Sequence, residues 1–322
     1  MYRKFYGLTR NPFEISPDPY FFYPTPRHNE ALANLNYGVQ RRKGFVVVTG
    51  EVGTGKTLLV RCLLDSLNRN QIAFAYMFNP RLSVPDFLRY MLTDLRLPAT
   101  GRTKSEMLAH LNNYLIARFR RGTTAALIVD EAQLLSWELL EEIRLLTNLE
   151  TSQQKLLQIV LVGQPELDRK LDSPHLRQLK QRVGLRCRLE PLGSEDLRGY
   201  IHRRLELAGA NSHGSTIFSE EGIAAIHRFS HGIPRLINTL CENALVAGYV
   251  KQTKQITPEI VQEVASDFRM DVPAGAASAP ESEDAESRKK ALKALFRMIE
   301  ELDGTAEKQL DEAKFESGVK TE

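Results

Sequence analysis

Three glycines, a lysine and a threonine fall within the run GEVGTGKT at positions 50–57, directly after the apolar stretch FVVVT. Glycines let backbone N–H groups turn toward a phosphate, and a following helix N-terminus adds a favourable dipole. In this pattern Lys56 reaches the β- and γ-phosphates of a nucleotide, and the Thr57 hydroxyl ligates Mg²⁺. The sequence therefore predicts a nucleotide-binding loop, formed by Gly50, Glu51, Val52, Gly53, Thr54, Gly55, Lys56, Thr57 and Leu58.

A second pair of residues that could take part in catalysis, Asp130 and Glu131, directly follows the apolar run ALIV. A carboxylate at the end of a buried strand is suited to hold Mg²⁺, directly or through water, and we assign this role to Asp130. Glu131, one residue later, is placed to polarise an attacking water as a general base. A solvated Asp-Glu loop is the alternative, but the complete phosphate-binding loop in the same chain favours a catalytic pair.

Strand-like and helical stretches alternate around these motifs. The β-rich apolar runs lie at 45–49, 72–78, 124–130, 156–162 and 185–189. The helical patterns between them lie at 56–68, 84–95, 104–121 and 137–149. Short β-rich runs separated by helices are typical of a parallel sheet covered on both faces. The predicted fold class is therefore α/β, with a five-stranded parallel sheet and helices on both faces.

Different segments flank this α/β domain, which we place at 44–192. Residues 1–43 are rich in proline, asparagine and aromatics, and we expect a lead-in that packs on the core. Residues 193–270 show no strand pattern and predict a small helical lid. Its helices are expected to start at Ser194, Ser219 and Thr257-Pro258, with a fourth from Pro234 to Tyr249.

The last segment, residues 271–322, is acidic. It holds 8 Lys and Arg against 13 Asp and Glu, which leaves 35 against 27 in residues 1–270. Few large apolar residues occur at its start, so we expect a mostly disordered tail with a short amphipathic helix at 288–302. A basic body with an acidic tail fits either a polyanion-binding surface or an ordinary solvated one.

Composition also bears on the compartment. No stretch approaches the ~18 apolar residues of a membrane span, and the first residues lack the apolar core of a signal peptide. Cys62, Cys187 and Cys241 have no metal-type spacing, so we expect buried, reduced thiols. The chain is therefore expected to be cytoplasmic.

A strand pattern at 72–78 between the loop strand and the Asp-Glu strand, with Glu131 beside Asp130, resembles the additional-strand catalytic-glutamate branch of phosphate-loop NTPases. Within that branch the chain resembles the AAA+ family. The resemblance implies that Gln164, at the end of IVLVGQ, is the first sensor near the γ-phosphate and attacking water. Asparagine or threonine is more usual there. Asn79 has the position of a polar switch on the glutamate, or else it forms a strand-end turn.

The resemblance also implies roles for arginines. The run HGIPRLIN is similar to the second-sensor signature, which makes Arg235 a γ-phosphate contact from the lid. The family presents an arginine finger to a neighbouring subunit from the stretch that is HLRQLKQRV here. We assign this finger to Arg182, with Arg177 as the alternative. Guanidinium groups suit both tasks because they stay charged and bind phosphate oxygens bidentately.

The lead-in FYGLTRNPFEISPDPYFFYPTPRHNEALANLNYGV resembles that of the ExeA-type (general secretion pathway A) ATPases. VDEAQ, VGQPEL, LKQRV and GIPRLIN fit the same group, so the resemblance covers residues 1 to about 268. Related proteins include the TniB/TnsC-type transposition ATPases. Pro12, Phe13 and His28 are candidates for packing near the adenine, or for a purely structural cover. The secretion protein is expected to continue into a membrane helix and a cell-wall module, whereas an acidic tail follows here, so we expect no direct cell-wall binding.

These features favour an enzyme that binds and hydrolyses ATP with Mg²⁺ as a homo-oligomer, either a ring or a filament. ATP is favoured over GTP because no Asn-Lys-x-Asp guanine-reading motif occurs. The resemblance implies that hydrolysis drives a bacterial secretion, pilus or exopolysaccharide system of the envelope. The alternative is a DNA-associated ATPase similar to the transposition regulators. A nucleotide switch without turnover is disfavoured by Glu131.

Overall fold

Five parallel strands form the centre of the fold in the computed structural model, which describes residues 1–99, 101, 103–210 and 214–270, the last range without the side chains of 214 and 215. They are β1 (Phe45–Gly50), β2 (Ala73–Met77), β3 (Ala125–Val129), β4 (Leu157–Gly163) and β5 (Leu185–Leu189). Their spatial order is β2-β3-β4-β1-β5, and every neighbouring pair is parallel. This confirms the predicted five-stranded parallel sheet.

Successive side chains of the central strands enter two separate apolar cores, one on each face of the sheet. In β1, Phe45 and Val47 belong to one core, whereas Val46 and Val48 belong to the other. This division follows from the alternation of side chains along a strand. Because both faces are covered, every residue of β1, β3 and β4 is buried, which explains why these strands are continuous apolar runs.

Helices from the first two-thirds of the chain cover the two faces. After the short first helix, α1 (Tyr2–Tyr6), the covering helices are α2 (Pro26–Gln40), α3 (Lys56–Arg69), α4 (Val84–Asp94), α5 (Lys104–Arg120), α6 (Trp137–Leu146), α7 (Pro165–Leu171) and α8 (Arg177–Lys180). The core on one face contains residues of α2 and α3, and the core on the other contains residues of α4 to α8. Thr103 begins α5 with a capping box, in which its side chain and that of Glu106 satisfy each other's backbone N–H groups. The helices predicted in this region are confirmed.

The order of strands brings the predicted functional segments to one edge of the sheet. β4 lies between β1 and β3, whereas β2, which lies between them in the sequence, forms an outer strand. The register pairs Thr49 of β1 with Gly163 of β4, and Val129 of β3 with Leu161 of β4. The carboxyl ends of β1, β3 and β4 therefore lie side by side, where open α/β sheets bind their ligands.

Helices follow the last strand. They are α9 (Ser194–Leu207), α10 (Gly214–Ile217), α11 (Glu220–Ser230), α12 (Pro234–Val250) and α13 (Pro258–Asp267). Ser219 caps α11 through its side chain, and Pro234 and Pro258 occupy first-turn positions, as the lid prediction requires. Within the described part of the chain, no helix combines the length and apolarity needed to cross a membrane. The predicted tail and its amphipathic helix at 288–302 lie outside the described residues.

The lead-in touches both the sheet region and the helices after it. Its Tyr2 hydroxyl donates to Glu242 Oε1 at 2.6 Å, and the carbonyl of Pro12 accepts from the buried Arg204 at 2.7 Å. Arg61 of α3 donates to the carbonyl of Pro17. Residues 1–264 form one compact unit, within which the lead-in joins the lid helices to the core. The domain boundaries at 43, 192 and 270 stay predictions.

Candidate active site

The loop between β1 and α3 requires glycine. Gly53 and Gly55 have φ angles of 84° and 95°, in the left-handed region that side chains disfavour. A Cβ atom on Gly53 would lie 2.8 Å from Cβ of Arg235 and 2.9 Å from Cγ2 of Ile233. The N–H of Arg235 donates to the carbonyl of Gly53 at 3.2 Å. The start of α12 is therefore in direct backbone contact with the phosphate-binding loop.

Lys56 points back into this loop. Its Nζ donates to the carbonyls of Gly50 and Glu51, each at 2.8 Å, and the residue is only 6% exposed. Burial lowers the pKa of Lys56, and the carboxylates of Glu131 and Asp130 act in the opposite direction. The ammonium group thus lies in the loop within the field of two acidic groups, where it can exchange backbone carbonyls for phosphate oxygens.

Thr57 and Asp130 come together as the sequence predicts. The Thr57 hydroxyl donates to Asp130 Oδ2 at 3.0 Å, and the N–H of Glu131 donates to Asp130 Oδ1 at 2.9 Å. Asp130 is 2% exposed, and burial raises its pKa, although these two hydrogen bonds lower it. A hydroxyl and a carboxylate are hard oxygen donors of the kind that Mg²⁺ prefers. Mg²⁺ usually keeps several waters and takes few protein ligands beside substrate phosphates, and one hydroxyl with one carboxylate is a donor set of that kind.

Glu131 adopts an unusual backbone conformation, with a φ of 51°. Two side-chain amides donate to its Oε2, Gln133 Nε2 at 2.5 Å and Gln164 Nε2 at 3.3 Å. The backbone N–H of Gln164 donates to Gln133 Oε1 at 3.1 Å. The structure therefore brings Gln164 to Glu131, and it adds Gln133, for which the sequence predicts no role. The only signal was its place in the VDEAQ run.

The arginines differ in their surroundings. Arg235 is exposed on the first turn of α12, above the phosphate-binding loop. Arg182 is partly buried, and its guanidinium donates to the Thr147 hydroxyl. Arg177 is exposed, and among the described residues its side chain has no hydrogen bond or ion pair. Asn79 accepts from the N–H of Arg81 at 3.4 Å, which corresponds to the strand-end turn.

His28 is the lead-in candidate that contacts the phosphate-binding loop. Its Nε2 lies 3.2 Å from the carbonyl of Thr54, and its Nδ1 lies 2.7 Å from the Thr25 hydroxyl. Since a carbonyl only accepts, Nε2 carries the proton and Nδ1 accepts from Thr25. Phe13 is fully buried and packs edge-on against Phe218 of the helical region instead.

This arrangement makes stability depend on pH through His28. Burial penalises the charged ring and lowers the pKa of His28 below its ordinary value of 6.5, although the hydrogen bond to the Thr54 carbonyl and the Asp196 carboxylate act in the opposite direction. Its stabilising contribution is therefore fully present above pH 6.5 and is lost as the pH falls through the lower folded-state pKa. We expect the free energy of unfolding of the wild type to fall more steeply between pH 7 and pH 5 than that of His28→Gln. Denaturant unfolding at several pH values measures this slope, with the exposed His175→Gln as the matched control. Equal slopes for the wild type and His28→Gln would contradict the assignment.

Comparison with protein families finds an AAA domain at residues 39–171. The chain is also 45% identical over 257 residues to general secretion pathway protein A of Aeromonas hydrophila. That match covers 80% of this chain and 46% of the relative. The chain therefore spans less than half of the length of this relative.

Solved structures of similar fold include Cdc6p of Pyrobaculum aerophilum, at 18% identity and a TM-score of 0.62 over 82% of this chain and 72% of that one. ORC2 of Aeropyrum pernix, in a structure of its ADPNP-ADP complexes, matches at 16% identity and a TM-score of 0.57, over 84% and 73% of the two chains. A Drosophila ORC structure with DNA matches at 19% identity and a TM-score of 0.55, over 81% and 67%. At these identities the likeness concerns the fold.

Proposed function

Since the chain is an AAA+ protein of the ExeA type, we propose that it is an ATPase that binds ATP with Mg²⁺ and hydrolyses it. The observation that carries this proposal is the convergence of four side chains at the carboxyl edge of the sheet. The Thr57 hydroxyl donates a hydrogen bond to Asp130 Oδ2 at 3.0 Å, and Gln164 Nε2 donates one to Glu131 Oε2 at 3.3 Å. A metal-binding pair and a base with a polar neighbour are the parts that phosphoryl transfer to water requires.

Phosphate binding, metal binding and proton transfer are assigned to different residues of the site. The backbone N–H groups of the loop hold the phosphates, and Lys56 turns from the carbonyls of Gly50 and Glu51 to the phosphate oxygens. Thr57 and Asp130 would hold Mg²⁺, which when bound would supply positive charge to offset the negative charge of the phosphates. Glu131 accepts a proton from the attacking water. Arg235, on the lid, adds a further charge above the loop.

We further propose that the active form is a homo-oligomer, in which an arginine of one subunit completes the site of the next. Arg177 is better placed for this than Arg182, because Arg182 is bound to Thr147 within its own subunit. Because the exposed guanidinium of Arg177 has no hydrogen bond or ion pair with the residues that the structure describes, it can reach a neighbouring nucleotide without breaking a contact among them.

The pathway we propose is the assembly or operation of an envelope system for secretion, pili or exopolysaccharide. Its support is the similarity to general secretion pathway protein A. The cytoplasm is the compartment we propose, in keeping with three cysteines that are free thiols. The surplus of basic over acidic residues in 1–270 favours a second candidate, a DNA-associated ATPase. A measured affinity for duplex DNA that falls as the salt concentration rises would support this second candidate.

Lys56→Ala tests nucleotide binding. We expect the Kd for ATP to rise by about 10- to 150-fold, because a hydrogen bond to a charged group contributes about 1.5–3 kcal/mol. Titration calorimetry with Mg²⁺ and ATP measures this change. Lys251→Ala is the matched control, since Lys251 forms an exposed ion pair with Glu263 outside the site, and its Kd should match that of the wild type. A Kd for Lys56→Ala within threefold of the wild type would refute the assignment.

A further inference from the structure

Gln133 is a buried amide within the active site. It is 9% exposed and uses both ends of its carboxamide. The Nε2 donates to Glu131 Oε2 at 2.5 Å, and the Oε1 accepts from the backbone N–H of Gln164 at 3.1 Å. One side chain therefore joins the glutamate that follows β3 to the residue that follows β4.

The position of Gln133 is fixed from two other sides. Lys170 of α7 donates from Nζ to the carbonyls of Gln133 and Leu135, at 2.6 Å and 2.8 Å. Gly163, the last residue of β4, faces the same amide. A Cβ atom on Gly163 would lie 2.9 Å from Gln133 Oε1 and 3.2 Å from its backbone nitrogen. These contacts hold the carboxamide of Gln133 in its position beside Glu131.

Glu131 needs such support. Its φ of 51° is unfavourable for a residue other than glycine, asparagine or aspartate, so local preference alone does not hold it. Asn79, after β2, is bound to the N–H of Arg81, and the hydrogen bonds of the described residues do not connect it to Glu131. Both amides on Glu131 donate to the same oxygen, Oε2. Within the described residues, Oε1 accepts no hydrogen bond and is the oxygen left for water.

We propose that Gln133 is a positioning residue that holds the carboxylate of Glu131 by Oε2 and directs Oε1 toward the attacking water. Through its Oε1, Gln133 also links this carboxylate to the backbone of Gln164. Gln164 lies next to the phosphate-binding loop because the preceding residue, Gly163, pairs with Thr49 of β1. This inference rests on the proposed ATPase function. Gln164 contributes a second, longer hydrogen bond from a side chain that is less buried than Gln133.

Gln133→Leu tests this role, because leucine fills a similar volume without either hydrogen bond. We expect kcat to fall by about 10- to 100-fold, the loss that a small misplacement of a catalytic group causes, with the Kd for ATP within about threefold of the wild type. Gln158→Leu is the matched control. Gln158 is also a buried glutamine with two hydrogen bonds, to Gly44 and Lys155, at the opposite end of β4. It should lose stability while its kcat stays within about twofold.

Amide hydrogen exchange in nucleotide-free protein gives a readout that is independent of turnover. Gln133→Leu should accelerate exchange at the N–H of Gln164 by about tenfold or more, since its acceptor is removed, whereas Gln158→Leu should not. Gln133→Glu separates the two ends of the side chain. It keeps an acceptor for Gln164 but places a carboxylate against Glu131, so we expect slow turnover with normal protection of Gln164.

The outcomes separate this inference from the ATPase proposal. A wild type that hydrolyses ATP, together with Gln133→Leu at an equal kcat, overturns the positioning role and leaves the ATPase standing. An equal loss of kcat in Gln158→Leu also overturns it, because the effect is then general destabilisation. If the wild type neither binds nor hydrolyses ATP, the proposed function fails. Unchanged exchange at Gln164 in Gln133→Leu would even then overturn the contact on which the inference depends.

Discussion

Glu131→Gln is expected to bind ATP as the wild type does and to lower kcat by about 10²- to 10⁴-fold, the usual contribution of general acid–base catalysis. A glutamine here keeps the length and shape of the side chain. Its amide oxygen can still accept from Gln133 and Gln164, which both donate to a single oxygen of Glu131. The variant therefore loses the ability to take a proton while it retains the hydrogen bonds that position the group.

Single-turnover hydrolysis and equilibrium binding of ATP, measured on the same preparation, separate these two effects. Glu166→Gln is a suitable control, because Glu166 is a half-exposed glutamate on the neighbouring helix α7, paired with Arg169. Its kcat should stay within about twofold of the wild type, as expected for a screened surface charge. Hydrolysis by Glu131→Gln at the wild-type rate would show that another group accepts the proton.

The parts of the site that were predictable from the sequence obey local rules. A buried parallel strand is a continuous apolar run, and the loop at 50–57 and the pair Asp130-Glu131 each directly follow one. Parallel strands that share a sheet end at the same edge. The contacts of Thr57 with Asp130 and of Gln164 with Glu131 are therefore consequences of topology.

The parts that were not predictable depend on packing between distant segments. Gln133 binds a backbone N–H that lies 31 residues later, and its role depends on where β4 ends. Arg204 reaches the carbonyl of Pro12 across 192 residues. Sequence order places the strand at 72–78 between the two catalytic strands, whereas the sheet places β4 there. No local pattern contains such information.

The arginine finger shows how burial changes a choice that sequence leaves open. Arg177→Ala is expected to bind ATP normally and to lose the rise in kcat that accompanies assembly, which in related NTPases reaches about 10³- to 10⁵-fold. Arg182→Ala should instead lower the free energy of unfolding by about 1 kcal/mol, the contribution of a typical hydrogen bond, here the one to Thr147. The ATPase rate as a function of protein concentration, with unfolding curves for both variants, measures these effects. If Arg182→Ala lost the rise in ATPase rate on assembly while Arg177→Ala kept it, Arg182 would be the finger and Arg177 would not.

Mixing two inactive variants decides whether the finger acts between subunits. At an ATP concentration between the Kd of the wild type and the raised Kd of Lys56→Ala, the site of Lys56→Ala is mostly empty although its Arg177 is intact. Arg177→Ala binds ATP under the same conditions but lacks the finger. If the arginine acts across an interface, some interfaces of the mixed oligomer combine an intact loop with an intact finger, so part of the rate should return. If Arg177 acted on its own nucleotide, no subunit in the mixture would contain a complete site, and the rate would stay at that of the separate variants. Recovery therefore requires both an oligomer and a site that is shared between two chains.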